Sequence, residues 1–154
     1  MPGDDPEPLV TGTVFSHIMP SMDAASSYAD LRRREAVAPK RLYAVDAVCT
    51  PASPVTDVTA LADLAGAAVR SGGGHVLANS HVVFPNGAIT LVLILAESHL
   101  SIHTWPEERL IAIDLFSCGA IDGQRVLTEL TGALNLTAVR IAELDRGSPG
   151  QRQL

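Results

Sequence analysis

Between positions 97 and 107 the chain reads Glu97-Ser98-His99-Leu100-Ser101-Ile102-His103-Thr104-Trp105-Pro106-Glu107. Two histidines, two carboxylates, two serines and the only tryptophan fall within this stretch, directly after the apolar run Ala88 to Ala96. Histidines and carboxylates move protons, and a serine hydroxyl can attack a carbonyl carbon. Polar density at the end of a buried strand marks a site more readily than a core. In a regular strand alternate residues share a face. Glu97, His99, Ser101 and His103 would then line one side, and Ser98, Leu100, Ile102 and Thr104 the other. A bend at Ser98 would break that pattern. His99 and His103 have no third ligand at a spacing suited to zinc, so no metal is expected. His75 and His81 read as surface or interface residues, and Cys49 as a buried thiol.

The elements that must position this stretch follow from periodicity and punctuation. Residues 41 to 49 read as a strand ended by Pro51 and Pro54. Thr56 or Asp57 can cap a helix to about Arg70, with Val58, Leu61, Leu64, Ala65 and Ala68 on its apolar face. Gly72-Gly73-Gly74 stops the helix; it lacks the Lys and Ser/Thr of a phosphate-binding loop. His75 to Phe84 and Ala88 to Ala96 form a hairpin around Pro85-Asn86-Gly87. Residues 99 to 104 continue extended until Pro106. Leu110 to Cys118 is a further strand, Asp122 caps a second helix carrying Val126, Leu130 and Ala133, and Leu136 to Leu144 is the last strand. This order predicts an α+β fold, an antiparallel sheet with helices packed on one face, a two-layer α/β sandwich. The other face needs a cover, and a second copy of the sheet is the expected one.

Three segments are predicted: a flexible N-terminal extension at 1–38 broken by Pro2, Pro6, Pro8 and Pro20, a domain at 39–146, and a polar tail at 147–154. A short helix is possible within the extension near Ala24 to Arg34. The formal net charge is −6, from 11 basic and 17 acidic residues, and no basic patch dominates, so nucleic acid is not an expected partner. The run Arg32 to Arg34 reads as a solvated cluster. Two cysteines cannot build a secreted disulfide framework. The N-terminus lacks a basic region followed by an apolar one, and Ala88 to Ala96 is too short for a spanning helix. A cytoplasmic protein with no membrane partner is expected.

The motif at 97–107, with Phe84-Pro85-Asn86-Gly87 before it and Ala112-Ile113-Asp114-Leu115-Phe116-Ser117-Cys118-Gly119 after it, resembles the signature of the prokaryotic S-adenosylmethionine decarboxylases. The resemblance covers roughly residues 41 to 146. It implies a chain that cleaves itself between Glu97 and Ser98, giving a β chain of 1–97 and an α chain of 98–154. Ser98 would attack the carbonyl of Glu97 to form an ester, and His103 would assist removal of the serine α-proton. Loss of ammonia would leave a pyruvoyl group covalently derived from Ser98, which forms a Schiff base with the substrate amine. Cys118 matches the catalytic proton donor. Phe84 matches an aromatic that stacks on adenine, Glu107 a carboxylate of the substrate site, and Trp105 belongs with them. Thr90 stands where a serine that helps processing is common. The function implied is conversion of S-adenosylmethionine to its aminopropyl-donor product for spermidine biosynthesis, by a homodimer of cleaved chains.

The chemistry of decarboxylation is consistent with that likeness. The electron pair left on carbon needs a sink, usually supplied by a cofactor. Lys40 is the only lysine, and no pyridoxal phosphate site is visible; a ketone beside an amide carbonyl can serve instead. A thiol such as Cys118 can return the proton. Pro39-Lys40-Arg41-Leu42 departs from the Gly-x-His-Leu usual in the family, and Arg41 near a site would repel a sulfonium or guanidinium cation. A pyruvoyl decarboxylase of arginine, ornithine or another amino acid is therefore the alternative. A third reading is a non-catalytic relative that regulates an active partner, against which Ser98, His103 and Cys118 together argue.

Overall fold

A computed structural model describes residues 38–147. All but the last residue of the predicted extension, and all but the first of the predicted tail, lie outside them. Eight elements follow in order: β1 (Lys40–Cys49), α1 (Val58–Ser71), β2 (Val76–Val83), β3 (Ile89–Leu95), β4 (Ser98–Trp105), β5 (Leu110–Cys118), α2 (Gly123–Ala133) and β6 (Leu136–Arg146). The strands form one antiparallel sheet in the order β2-β3-β4-β5-β1-β6. The α+β architecture read from the sequence is the one observed. The stretch 99–104 differs from expectation. It does not prolong β3 but reverses on it as a separate strand, so the sheet has a strand more than the sequence suggested.

Alternation in every central strand sends one set of side chains to the helices. Tyr43, Val45 and Ala47 from β1, Leu91 and Leu93 from β3, Leu100 and Ile102 from β4, and Ile111, Ile113 and Leu115 from β5 are buried there. Leu61, Ala65, Ala68 and Val69 of α1 and Val126, Leu127 and Leu130 of α2 close over them. Each helix starts where an aspartate can accept from an otherwise orphaned backbone N–H: Ala60 N–H donates to Asp57 and Arg125 N–H donates to Asp122, both at 3.0 Å. The helix entrance at Gly123 lies against the Tyr43 ring, where a Cβ would have no room. Among the described residues no helix is long and apolar enough to cross a membrane.

Among the described residues the opposite face of the sheet carries no helix. On it the register lines up Thr90 with His103, Val92 with Ser101 and Ile94 with His99, then Ser101 with Asp114 and His99 with Phe116, then Leu42 with Phe116 and with Leu144. Ile94 and Leu144 are about half exposed there, at 48% and 52%. Every histidine of the 97–107 motif lies on this uncovered face, as the alternation predicts.

Candidate active site

β3 ends at Leu95 and β4 starts at Ser98, so the chain turns back through Ala96 and Glu97 alone. Nothing in Ala-Glu favours so tight a reversal, and the following residue absorbs the misfit. Ser98 has φ +138°, a region that costs a non-glycine residue about 1–3 kcal/mol and persists only where surroundings impose it. The surroundings do so. Ala96 N–H donates to the His75 carbonyl at 2.9 Å. The buried Glu97 carboxylate accepts from His75 N–H at 2.9 Å and lies 2.7 Å from His75 Nδ1. The Glu97 carbonyl oxygen accepts twice from Cys118, from its backbone N–H at 2.9 Å and its thiol at 3.0 Å. Ser98 Oγ lies 3.6 Å from the same sulfur.

That arrangement suits attack on the Glu97 carbonyl. Two donors already aim at the oxygen that would become an oxyanion, which is the geometry that stabilises a tetrahedral intermediate. The strain at Ser98 is stored in the dihedral next to the bond that would break. Cys118 reaches this place because β5 pairs with β4, bringing its last residue beside the first residue of β4. Cys49 sits instead in the core, where burial pushes its thiol pKa up.

A second group gathers at the other end of β4. Thr90 Oγ1 and His103 Nδ1 are 3.1 Å apart across the β3–β4 pair. Thr104 turns to the core, where its hydroxyl accepts from Ile89 N–H at 2.9 Å. The His103 ring lies 6.2 Å from the Trp105 ring, tilted by 32°. Pro106–Glu108 form a 3₁₀ turn that places Glu107 where Asn86 Nδ2 donates to it at 3.2 Å. Phe84, Asn86, Thr90, His103, Trp105 and Glu107 line an open cleft of about 530 Å³. Phe84 and Trp105 are partly exposed at this cleft, at 39% and 37%.

The residues singled out by sequence thus fall into two groups. Glu97, Ser98 and Cys118 meet at one end of β4; Thr90, His103, Phe84, Trp105 and Glu107 meet at the other. Ser98 and His103 are five residues apart on an extended strand, about 16 Å at about 3.3 Å per residue. One chain does not bring them into contact. Arg41, suspected near the site, faces away: its guanidinium pairs with Glu143 at 2.8 Å and approaches Asp145 at 3.6 Å. Lys40 is instead the residue opposite Cys118 in the β1–β5 register, and the Arg146 guanidinium lies 5.7 Å from the centre of the Phe116 ring. The reading of His75 as a surface or interface residue agrees with its side chain, 62% exposed, but missed its hold on Glu97. The partners are 22 positions apart, and no local signal joins them. Among the described residues no three histidine, cysteine or carboxylate side chains gather as a metal site would require.

Comparison with known proteins gives the following. A family model described as S-adenosylmethionine decarboxylase matches residues 41–147. An S-adenosylmethionine decarboxylase proenzyme from Thermotoga maritima is 42% identical over 82 residues, which are 53% of this chain and 62% of that protein. One from Symbiobacterium thermophilum is 40% identical over 95 residues, 61% of this chain and 72% of that protein. The chain therefore spans somewhat less than two thirds of the Thermotoga relative. A crystal structure of the adenosylmethionine decarboxylase from Aquifex aeolicus superposes with a TM-score of 0.65 at 25% identity, covering 76% of this chain and 98% of that one.

Proposed function

We propose, from the premise that this chain belongs to the S-adenosylmethionine decarboxylase family, that it is a proenzyme that cuts itself between Glu97 and Ser98 and then decarboxylates S-adenosylmethionine. The observation that carries the reading is the Glu97–Ser98 peptide: a strained φ of +138° and a carbonyl oxygen held by both donors of Cys118, with Ser98 Oγ beside them. Ser98 Oγ adds to the Glu97 carbonyl carbon while the two Cys118 donors hold the oxyanion. Collapse breaks the C–N bond, the Ser98 nitrogen takes a proton, and an ester remains. A base then removes the Ser98 α-proton and the Cβ–Oγ bond breaks, so that Glu97 leaves as a carboxylate carrying the serine oxygen. The dehydroalanine tautomerises to an imine, and water hydrolyses it with release of ammonia. The resulting ketone supplies the electron sink for decarboxylation, and Cys118, beside the atoms of Ser98, is placed to return a proton to the product.

His103 is the base in this reading, acting on the Ser98 of a second copy. The uncovered sheet faces pack together in a homodimer, about a two-fold axis crossing β4 near Ser101. That operation sets the start of one β4 against the end of the other. The Ser98–Cys118 end of one chain then meets the partner's cleft, which holds the substrate. Phe84 and Trp105 suit a flat adenine, and Glu107 suits a sulfonium cation; arginine or ornithine would bring a cation to the same groups but would cover less of the two aromatic side chains than an adenine does.

Intact-mass measurement tests the cleavage: two fragments are expected, the shorter having lost ammonia, with a single full-length species for Ser98→Ala. Fragments from Ser98→Ala, or an uncut parent chain, would refute it. Carbon dioxide release measured on S-adenosylmethionine, arginine and ornithine tests the substrate, and release confined to a basic amino acid would overturn the adenosyl reading.

A further inference from the structure

We infer that His75 is a positioning residue for self-cleavage: it clamps the Glu97 side chain so that the scissile carbonyl stays on Cys118 and the peptide to Ser98 stays strained. This rests on the cleavage proposed above and adds a residue to it. Glu97 is held at three points. Its carboxylate takes both the backbone N–H and Nδ1 of His75, its own carbonyl takes both donors of Cys118, and the preceding Ala96 N–H bonds the His75 carbonyl. The Glu97 carboxylate accepts, so the proton of the 2.7 Å contact belongs to His75 Nδ1. The Glu97 side chain is 4% exposed while that of His75 is 62% exposed. The carboxylate has therefore been brought out of water onto a donor that stands at the surface, and it stays there only because those bonds replace the lost hydration.

A buried carboxylate that loses its charge-assisted donor tends to swing back to water. Here that swing would carry the Glu97 backbone with it. The carbonyl would leave Cys118 and Ser98 would relax from +138°, because an unusual dihedral persists only while its surroundings over-determine it. His75 makes no hydrogen bond to Ser98 or to a residue of the cleft; its bonds go to the turn, to the Glu97 carboxylate and from the Ala96 N–H, so its effect runs through that turn.

The test is fragment formation by purified, folded precursor over time, in the parent chain and in His75→Ala and His75→Asn. Asparagine places its Nδ2 donor close to where histidine places Nδ1. His75→Ala is expected to form fragments about tenfold more slowly or worse, and His75→Asn to recover most of the parent rate. Hydroxylamine, which cuts esters, should release no extra fragments from His75→Ala, since the slowed step precedes the ester. If the alanine variant does not fold, His75→Val, better suited to the start of a strand, takes its place in the comparison. Equal rates for parent and His75→Ala overturn the inference. So does an asparagine variant as slow as alanine, or hydroxylamine-sensitive ester accumulating in His75→Ala. A parent chain that never cleaves refutes the cleavage itself, which is a separate failure.

Discussion

Two inactive variants should repair each other. Ser98→Ala removes the nucleophile, and His103→Ala removes the proposed base. On one chain the two side chains sit five residues apart along β4, about 16 Å against the roughly 3 Å that proton transfer requires. If each site draws Ser98 from one copy and His103 from the other, a mixed dimer rebuilds one complete site. It combines Ser98 of the His103→Ala chain with His103 of the Ser98→Ala chain. The two variants, co-expressed with distinguishable tags, should assort at random, which places about half of the His103→Ala chains in mixed dimers. Every His103→Ala chain in a mixed dimer should be cut, which is about half of all His103→Ala chains at equal expression, and none of the Ser98→Ala chains, as read by mass or by blotting each tag. Alone, His103→Ala should stall as an ester that hydroxylamine cleaves. No cut His103→Ala chain in the mixture, with mixed dimers present, would refute the shared site. Parent-like cutting of His103→Ala alone would remove His103 from the mechanism.

Other consequences can be checked separately. Cys118→Ala deletes one of two donors to the Glu97 carbonyl and the proposed proton donor. Cleavage should slow by roughly 10²-fold, and carbon dioxide release per matured site should fall as well; undiminished release would exclude the thiol. Burial raises the Cys49 pKa above its unfolded value. Its contribution to stability is thus complete below about pH 8.5 and lost as pH rises through the folded value. At pH 8, iodoacetamide should label Cys118 before Cys49 in a peptide map, and the reverse order would contradict the packing. Gly123→Ala drives a methyl group into the Tyr43 ring and should cost about 1–3 kcal/mol in urea unfolding; a neutral result would mean that the α2 entrance stands farther from β1 than described.

Much of the fold was legible because it rests on local signals. Asp57 and Asp122 are good N-caps before apolar stripes, and the structure caps both helices there. Asn86-Gly87 announces the hairpin, and Gly87 takes a φ of +82° in it. The alternation in 99–104 assigned the faces correctly, with Leu100, Ile102 and Thr104 buried and the histidines opposite. The reversal between β3 and β4 was hidden because Ala96-Glu97 carries no turn chemistry. The turn is imposed from outside, by His75 and Cys118. The same holds within the site. The likeness to the decarboxylase signature nominated Ser98, His103 and Cys118 together, but only register shows that Cys118 adjoins Ser98 while His103 pairs with Thr90 at the far end. His75 was unreadable for a related reason: its partner lies across the sheet's turn, and a histidine at the start of a strand carries no mark of a bond made 22 positions away.

The strand order has a consequence for life after the cut. Severing the chain behind Glu97 would leave β1, β2 and β3 on one polypeptide and β4, β5 and β6 on the other. β1 is wedged between β5 and β6, so the two pieces are interleaved rather than merely adjacent. Neither can depart without unzipping three ladders, β3–β4, β5–β1 and β1–β6, and the severed molecule should hold together as firmly as the whole one. Rebuilding it after denaturation is another matter, since two separate polypeptides must find each other before that wedge can form. Maturation would then trade a chain that can refold by itself for one whose recovery depends on concentration.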